Sequence, residues 1–196
     1  MTKYPAIPSK FLDGDSPILN QNGKEIAKLV DFWSWAYSDL IGNTERGILA
    51  EYIVACALKI QNKEHILWNK YDLLLDDIKI EVKTSGYIQT WDQEKLSKLS
   101  FGIQPTKGWE STSNQFDKIK MRQSDVYVFC VHKHTEQDTI NPLEIAQWAF
   151  YILPTKVLDE KVGEQKSISL DRLLKLGAIK CEYEQLLGQI KSVVSK

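Results

Sequence analysis

The chain is expected to fold as a single α/β domain, and three observations predict it. Residues 43–58 carry apolar side chains at helical spacing. Residues 71–83 alternate apolar and polar side chains as two strands around a tight turn. Residues 126–131 and 148–153 are near-continuous apolar runs of the kind that fill buried strands. At 196 residues with 43% hydrophobic content, one domain spanning 1–196 can bury a sizeable core. Within it we expect an N-terminal arm and helix (1–41) packed on the core, the core itself (42–153) and a C-terminal helical extension (154–196).

The elements follow in order. Pro5, Pro8, Gly14, Pro17 and Gly23 punctuate an extended arm. A helix is expected over residues 24–41, where Trp33, Trp35 and Tyr37 suit packing against the core or a partner surface. The next helix opens at Asn43 or Thr44 as cap, with Glu45 in its first turn. Its stripe is Ile48, Leu49, Tyr52, Ile53, Cys56 and Ile60, and Gly47, Val54, Ala55 and Leu58 make the opposite side apolar too. Glu51 is the one charge between Gly47 and Leu58. A carboxylate so placed needs a partner, such as Arg46 or another base, or a shifted pKa. Residues 65–70 then read as a short strand.

In the hairpin, Asp76-Asp77 is the turn. Leu75 then pairs with Ile78, Leu73 with Ile80 and Tyr71 with Val82, which gathers one apolar face. The same register sets Asp72 opposite Glu81. Like charges there destabilise the pair unless something compensates: a cation, a raised pKa, or Lys83 two residues along the same face. Glu81, Lys79 and Lys83 also fit an ordinary solvated strand face.

Beyond the hairpin, residues 92–99 read as a short polar helix or loop, and residues 101–115, with Gly102, Pro105 and Gly108, as a long irregular segment. The run from Val126 suits a central strand and the run from Trp148 a second buried strand stopped by Pro154. Cys130, His132 and His134 share one strand parity, but three such residues at a strand end with no fourth nearby are expected to be surface residues rather than zinc ligands. Residues 169–176 read as a helix capped by Ser169 and ended by Gly177, and residues 181–196 as a final amphipathic helix.

A helical Glu51, a strand Asp72 and Glu81-Val82-Lys83 on the next strand together resemble the restriction-endonuclease-like, or PD-(D/E)XK, nuclease superfamily. The resemblance covers residues 43–134, with Tyr71 where the namesake proline would stand. It implies an α-β-β-β-α-β core with a mixed central sheet flanked by helices, the run from Val126 being the strand after a crossover helix. It also implies a metal-dependent nuclease. Asp72 and Glu81, with the Val82 carbonyl, would hold Mg²⁺, or Mn²⁺ in its place, through hard oxygen ligands. Glu51 would hold a second metal or a water, and Lys83 would orient the nucleophile or stabilise developing negative charge. Thr84, Ser85, Gln89 and Lys107 are candidate substrate contacts. Lys95 and Lys98, interleaved with Tyr87, Trp91 and Trp109, could touch phosphates and stack on bases, though strand exits, solvated lysines and core aromatics explain all of these equally.

The net charge of −1 and pI of about 6.3 exclude a histone-like coater of nucleic acid but not a nuclease whose acidic site offsets basic patches. Cys56, Cys130 and Cys181 are far apart and odd in number, as reduced thiols of a cytoplasmic protein would be. With no membrane-length apolar run, the expected partner is nucleic acid, most plausibly DNA in a bacterial restriction, repair or mobile-element setting. Homodimerisation is an expectation of the resemblance alone. The alternatives are a non-catalytic nucleic-acid-binding or interaction protein retaining the fold, and an enzyme acting on another phosphorylated or small substrate in a closed pocket.

Overall fold

The computed structural model describes every residue except 1–3, 5, 6, 8, 9, 63, 64, 66–69, 111–113 and 196. In chain order a hairpin of β1 (Pro17–Leu19) and β2 (Glu25–Lys28) leads into α1 (Leu29–Tyr37) and α2 (Asn43–Ala57). Then come β3 (Leu73–Leu75) and β4 (Ile78–Gly86), followed by β5 (Ser100–Gly102), β6 (Trp109–Glu110) and β7 (Gln115–Phe116). After them lie β8 (Val126–His132), β9 (Trp148–Pro154), α3 (Thr155–Val162), β10 (Ser167–Ser169), α4 (Leu170–Lys175), β11 (Ile179–Cys181) and α5 (Leu186–Val194).

The centre is a five-stranded mixed sheet in the order β11-β9-β8-β4-β3. β8 runs parallel to β4, from Ile80↔Val126 to Gly86↔His132, and antiparallel to β9 along its whole length. Its continuous apolar character follows from burial on both faces. Val126, Val128 and Cys130 pack with Ala50, Ile53 and Val54 of α2 and with Leu186 and Ile190 of α5. On the opposite face Tyr127, Phe129 and Val131 meet Phe101, Ile103, Leu158, Ile168 and Leu173. There the Phe101 and Phe129 rings meet edge to face at 5.0 Å.

The β3–β4 hairpin has the register its apolar pattern demands: Leu73↔Ile80 and Leu75↔Ile78, with Asp76 at φ +52° in the turn. Asp72 continues the ladder by donating its amide to the Ile80 carbonyl at 3.1 Å. α2 starts one residue earlier than a side-chain cap at Asn43 would set. Gly42 is the N-cap, and its N–H donates to the Asp39 carboxylate at 3.2 Å.

Elsewhere the structure departs from the sequence expectations. Residues 25–28 are strand rather than helix, because Gly23 at φ +75° turns the chain back onto β1, and Asp31, accepting the Lys28 N–H at 2.8 Å, starts α1 only at Leu29. None of the α1 side chains is buried, and Trp35 is 84% exposed, so its aromatic residues do not pack into the core. No helix occurs among the described residues between β4 and β8. The glycine- and proline-broken crossover is built from β5, which pairs with β10, and a small β6–β7 hairpin. The strand expected over 65–70 falls largely outside the described residues. The segment after Pro154 is not purely helical, since β11 adds an edge to the main sheet, with Cys181 opposite Phe150. Ser169 does cap α4, accepting the Arg172 N–H at 3.3 Å, and Gly177 at φ +89° ends that turn. His132 is buried rather than on the surface, edge-on to Trp148 at 5.0 Å. His134 pairs with the Thr139 hydroxyl at 2.7 Å.

Arg122 fastens the crossover to the C-terminal segment. Its buried guanidinium donates to the Ile103 carbonyl (2.8 Å), the Asp159 carboxylate (2.6 Å) and the Gly163 carbonyl (2.7 Å). Removing it leaves the buried Ile103 carbonyl without its donor. Arg122→Met should therefore cost about 2–4 kcal/mol in urea unfolding, and a loss below about 0.5 kcal/mol would show that these bonds do not hold the segment.

Candidate functional site

β4 projects Glu81 and Lys83 from one side of the strand, and the ladder from β3 brings Asp72 alongside. The Asp72 carboxylate accepts the Val82 N–H at 2.7 Å, which fixes its position against the strand. Lys83 Nζ lies 2.5 Å from Glu81 Oε1, while the Ser124 hydroxyl donates to Glu81 Oε2 at 3.1 Å. Ser124 is placed by its neighbour Asp125, whose carboxylate accepts the Lys79 N–H and whose own amide donates to the Lys79 carbonyl, both at 2.8 Å. These two bonds tie the start of β8 to β4.

Glu51 comes to the site from α2. Its partner is His65, with Nε2 2.7 Å from Glu51 Oε2, and not Arg46. The Arg46 guanidinium turns the other way, to the Ile41 carbonyl (2.9 Å) and to the side chains of Asn43 and Gln89. Burial pushes the Glu51 carboxyl up, against the pull of His65 and Lys83. Asp72 rises further, to about 7: burial is the larger cause, Glu81 adds to it, and Lys83 and the Val82 amide oppose it. For Lys83 burial is the largest influence and acts downward. The combined charges of Glu81, Asp72 and Glu51 override it and hold the ammonium above its ordinary range, so it stays protonated.

Three carboxylates thus share one lysine, a shortage of positive charge, and Asp72 keeps a proton to near neutrality. Asp72 and Glu81 offer hard oxygen donors where a cation would relieve that shortage, which fits a divalent metal of the Mg²⁺ class. Among the described residues, no three His, Cys, Asp or Glu side chains are arranged to hold a single ion. The structure brings Asp72, Glu81 and Lys83 together. It leaves Glu51 within electrostatic reach, turned to His65.

Asp72, Glu81 and Lys83 line a cleft of about 810 Å³, together with Lys70, Lys107, Trp109 and Tyr127. Tyr127 is the cross-strand neighbour of Glu81, and burial first and the Glu81 charge second hold its hydroxyl protonated. Of the substrate contacts expected from sequence, Lys107 lines the cleft. Ser85 and Gln89 are committed internally: the Ser85 hydroxyl accepts the Ser100 N–H at 3.3 Å, and the buried Gln89 amide donates to the Gly86 carbonyl at 2.9 Å. Thr84 shares Val82's strand parity, and its Oγ1 is buried without a hydrogen-bond partner. Lys95, Lys98 and Trp91 are exposed and do not line the cleft. Sequence reasoning missed Ser124, Tyr127, His65 and Lys70. Only Tyr127 carried a local signal, as a polar-tipped residue in the central apolar run.

A family model described as bacteriophage T4 endonuclease IV matches residues 19–172, a span that contains Glu51, Asp72, Glu81 and Lys83. No curated protein and no solved structure gives a significant match.

The Asp72 shift makes a prediction about stability in the absence of divalent cations. Because its folded pKa, about 7, lies above the ordinary aspartate value, the folded state binds more protons than the unfolded state between about pH 4 and pH 7, and stability falls as pH rises through that window. Asp72→Asn keeps an oxygen for the Val82 amide and removes the charge. It should stabilise the protein by at least about 1 kcal/mol at pH 8 relative to its effect at pH 5 in urea unfolding with EDTA; an equal effect at both pH values would contradict the shift.

Proposed function

The chain belongs to the bacteriophage T4 endonuclease IV family, and we propose that it is a metal-dependent nuclease hydrolysing phosphodiester bonds in DNA at Asp72, Glu81 and Lys83. The observation that carries this reading is the charge-short carboxylate pair beside a protonated lysine, at the wall of a cleft that also presents Lys70 and Lys107. The helical Glu51, the strand Asp72 and the Glu81-Val82-Lys83 triplet support a restriction-endonuclease-like core, in a version without the crossover helix among its described residues.

Asp72 and Glu81 would hold Mg²⁺, or Mn²⁺ in its place, and Glu51, within electrostatic reach of both, would add a carboxylate only by turning away from His65. When bound, the ion supplies Lewis acidity at the phosphoryl group. The remaining work belongs to the chain. Lys83, kept cationic by three carboxylates, donates to a non-bridging phosphate oxygen as negative charge grows there, and its raised pKa suits this role better than that of a base. Ser124 and the Val82 amide hold Glu81 and Asp72 in place, so that little reorganisation accompanies reaction. Water attacks phosphorus and gives up a proton to solvent, the P–O bond to the leaving nucleoside oxygen breaks, and that oxygen takes a proton from solvent. Lys107, and Lys70 beside its ion-pair partner Asp117 (3.1 Å), would contact flanking phosphates and set register. Since Asp72 must lose its proton to bind a cation, metal affinity rises with pH through about 7.

Asp72→Ala and Lys83→Ala proteins that remain folded should lose Mg²⁺- or Mn²⁺-dependent DNA cleavage by at least about 10²-fold; wild-type activity in both variants would exclude the assignment. Metal binding has its own readout. Millimolar Mg²⁺ or Mn²⁺ should raise the melting temperature of the wild type at pH 8 and leave that of a Glu81→Gln, Asp72→Asn double variant unchanged, and a matching rise in both would place the ion elsewhere.

A further inference from the structure

Asp72 lines two clefts. Besides the one that holds Glu81 and Lys83, a second cleft of about 820 Å³ lies between α2, β3 and the N-terminal arm. The two differ in charge and chemistry. The first presents Lys70, Lys83 and Lys107. The second has no lysine or arginine in its described lining; it contains the carboxylates of Glu45, Asp72 and Glu51, the last paired to His65 in the same lining, and is walled by Phe11, Tyr37, Tyr52 and Tyr71.

Three of these rings are open to solvent rather than used in packing: Phe11 is 66% exposed, Tyr52 56% and Tyr37 45%. Tyr52 is also an anomaly of α2. It belongs to the apolar stripe of the helix, beside the buried Ile53, yet faces the cleft. With Glu51 paired to His65, this cleft is distinguished by its exposed aromatic wall and the carboxylates beside it. It suits a flat, neutral, amino-bearing ring, which can stack on tyrosine and donate hydrogen bonds to acidic oxygens.

Asp72 lines both clefts, so a phosphate held beside it in the first leaves the adjoining nucleoside at the border of the second. We infer that the second cleft seats the nucleobase next to the cleaved phosphodiester, lifted out of pairing and stacked on Tyr52. This rests on the proposed nuclease reading and assigns a ligand to a part of the molecule that reading does not use. Under it the cleft that presents lysines takes the backbone and the aromatic-walled cleft takes the base. The carboxylates would favour bases that present exocyclic amino groups over those that present carbonyls alone.

The test uses a short DNA oligonucleotide with one mapped cleavage position, and versions with an abasic nucleotide on either side of the cleaved bond. Tyr52→Ala should raise KM on the intact oligonucleotide about tenfold with kcat changed less than about twofold, and Tyr52→Phe should restore the wild-type value. On the oligonucleotide lacking the seated base, wild type and Tyr52→Ala should have equal KM. Unchanged KM on intact DNA would overturn the inference. So would an equal loss on intact and abasic DNA, which would make Tyr52 a structural residue. A change in oligomeric state by size-exclusion chromatography with KM unmoved would overturn it too, assigning the cleft to a protein partner. Fluorescence anisotropy in EDTA separates this inference from the nuclease reading. If no protein cleaves DNA while binding still weakens in Tyr52→Ala only when the base is present, the nuclease reading fails and the base seat stands. If wild type cleaves while binding ignores Tyr52, the reverse holds.

Discussion

The pairing of β4 with its two neighbours is the constraint on which the rest of the molecule depends. β8 is buried on both faces and can satisfy its backbone only within the sheet, so it fixes the strand beside it over seven consecutive residue pairs. β4 must then turn one side chain of each pair to each layer. Ile80 and Val82 go to the α2 layer, and Glu81 and Lys83 go to the other. The short β3 leaves Asp72 just past its paired residues, close enough to take the Val82 amide while its carboxyl group still reaches Glu81's surroundings. Chemistry and fold therefore share one strand. Any slip in its register would send the acidic and basic groups into the hydrophobic layer.

Placing three carboxylates around one lysine costs stability, and the protein carries that cost visibly. Asp72 retains a proton to near neutrality, Glu51 leans on His65, and Lys83 is the most strongly cationic group of the set. A site with no ligand to accommodate could replace any of these residues with an apolar one at a gain. The persistence of an unbalanced buried cluster is what makes a bound cation and a bound phosphate natural complements. Under the proposed reading a cation would relieve the carboxylates and leave Lys83 to face the anion.

The peripheral segments determine what can approach the site. Arg122 holds the crossover against α3 and keeps the wall of the basic cleft in place, while the arm and α1 form the far side of the acidic one. α1 contributes no buried residue, and its exposed aromatic side chains are available to ligands in a way that core aromatics are not. No described helix is long and apolar enough to cross a membrane. The exposed rings are thus arranged around clefts and the N-terminal surface rather than in a spanning segment.

The sequence by itself determined the hairpin register, the two buried strands, the helix over residues 43–57 and the grouping of Asp72, Glu81 and Lys83. Each follows from a local repeat, period two or period three-and-a-half, whose apolar face has only one place to go. It did not determine the partner of Glu51, the grip of Ser124 on Glu81, the strand at residues 25–28, the absence of a crossover helix among the described residues or the place of Asp72 in the lining of two clefts. Those depend on which distant segments meet, on a glycine that turns the arm back and on a buried arginine that pins a loop. No local periodicity encodes them. His65 was legible only as a residue near a strand, and Ser124 only as a polar residue before one. Contacts between elements far apart in the chain gave both their roles, because hydrogen bonds and charge shifts depend on distance in space, which only the tertiary structure decides.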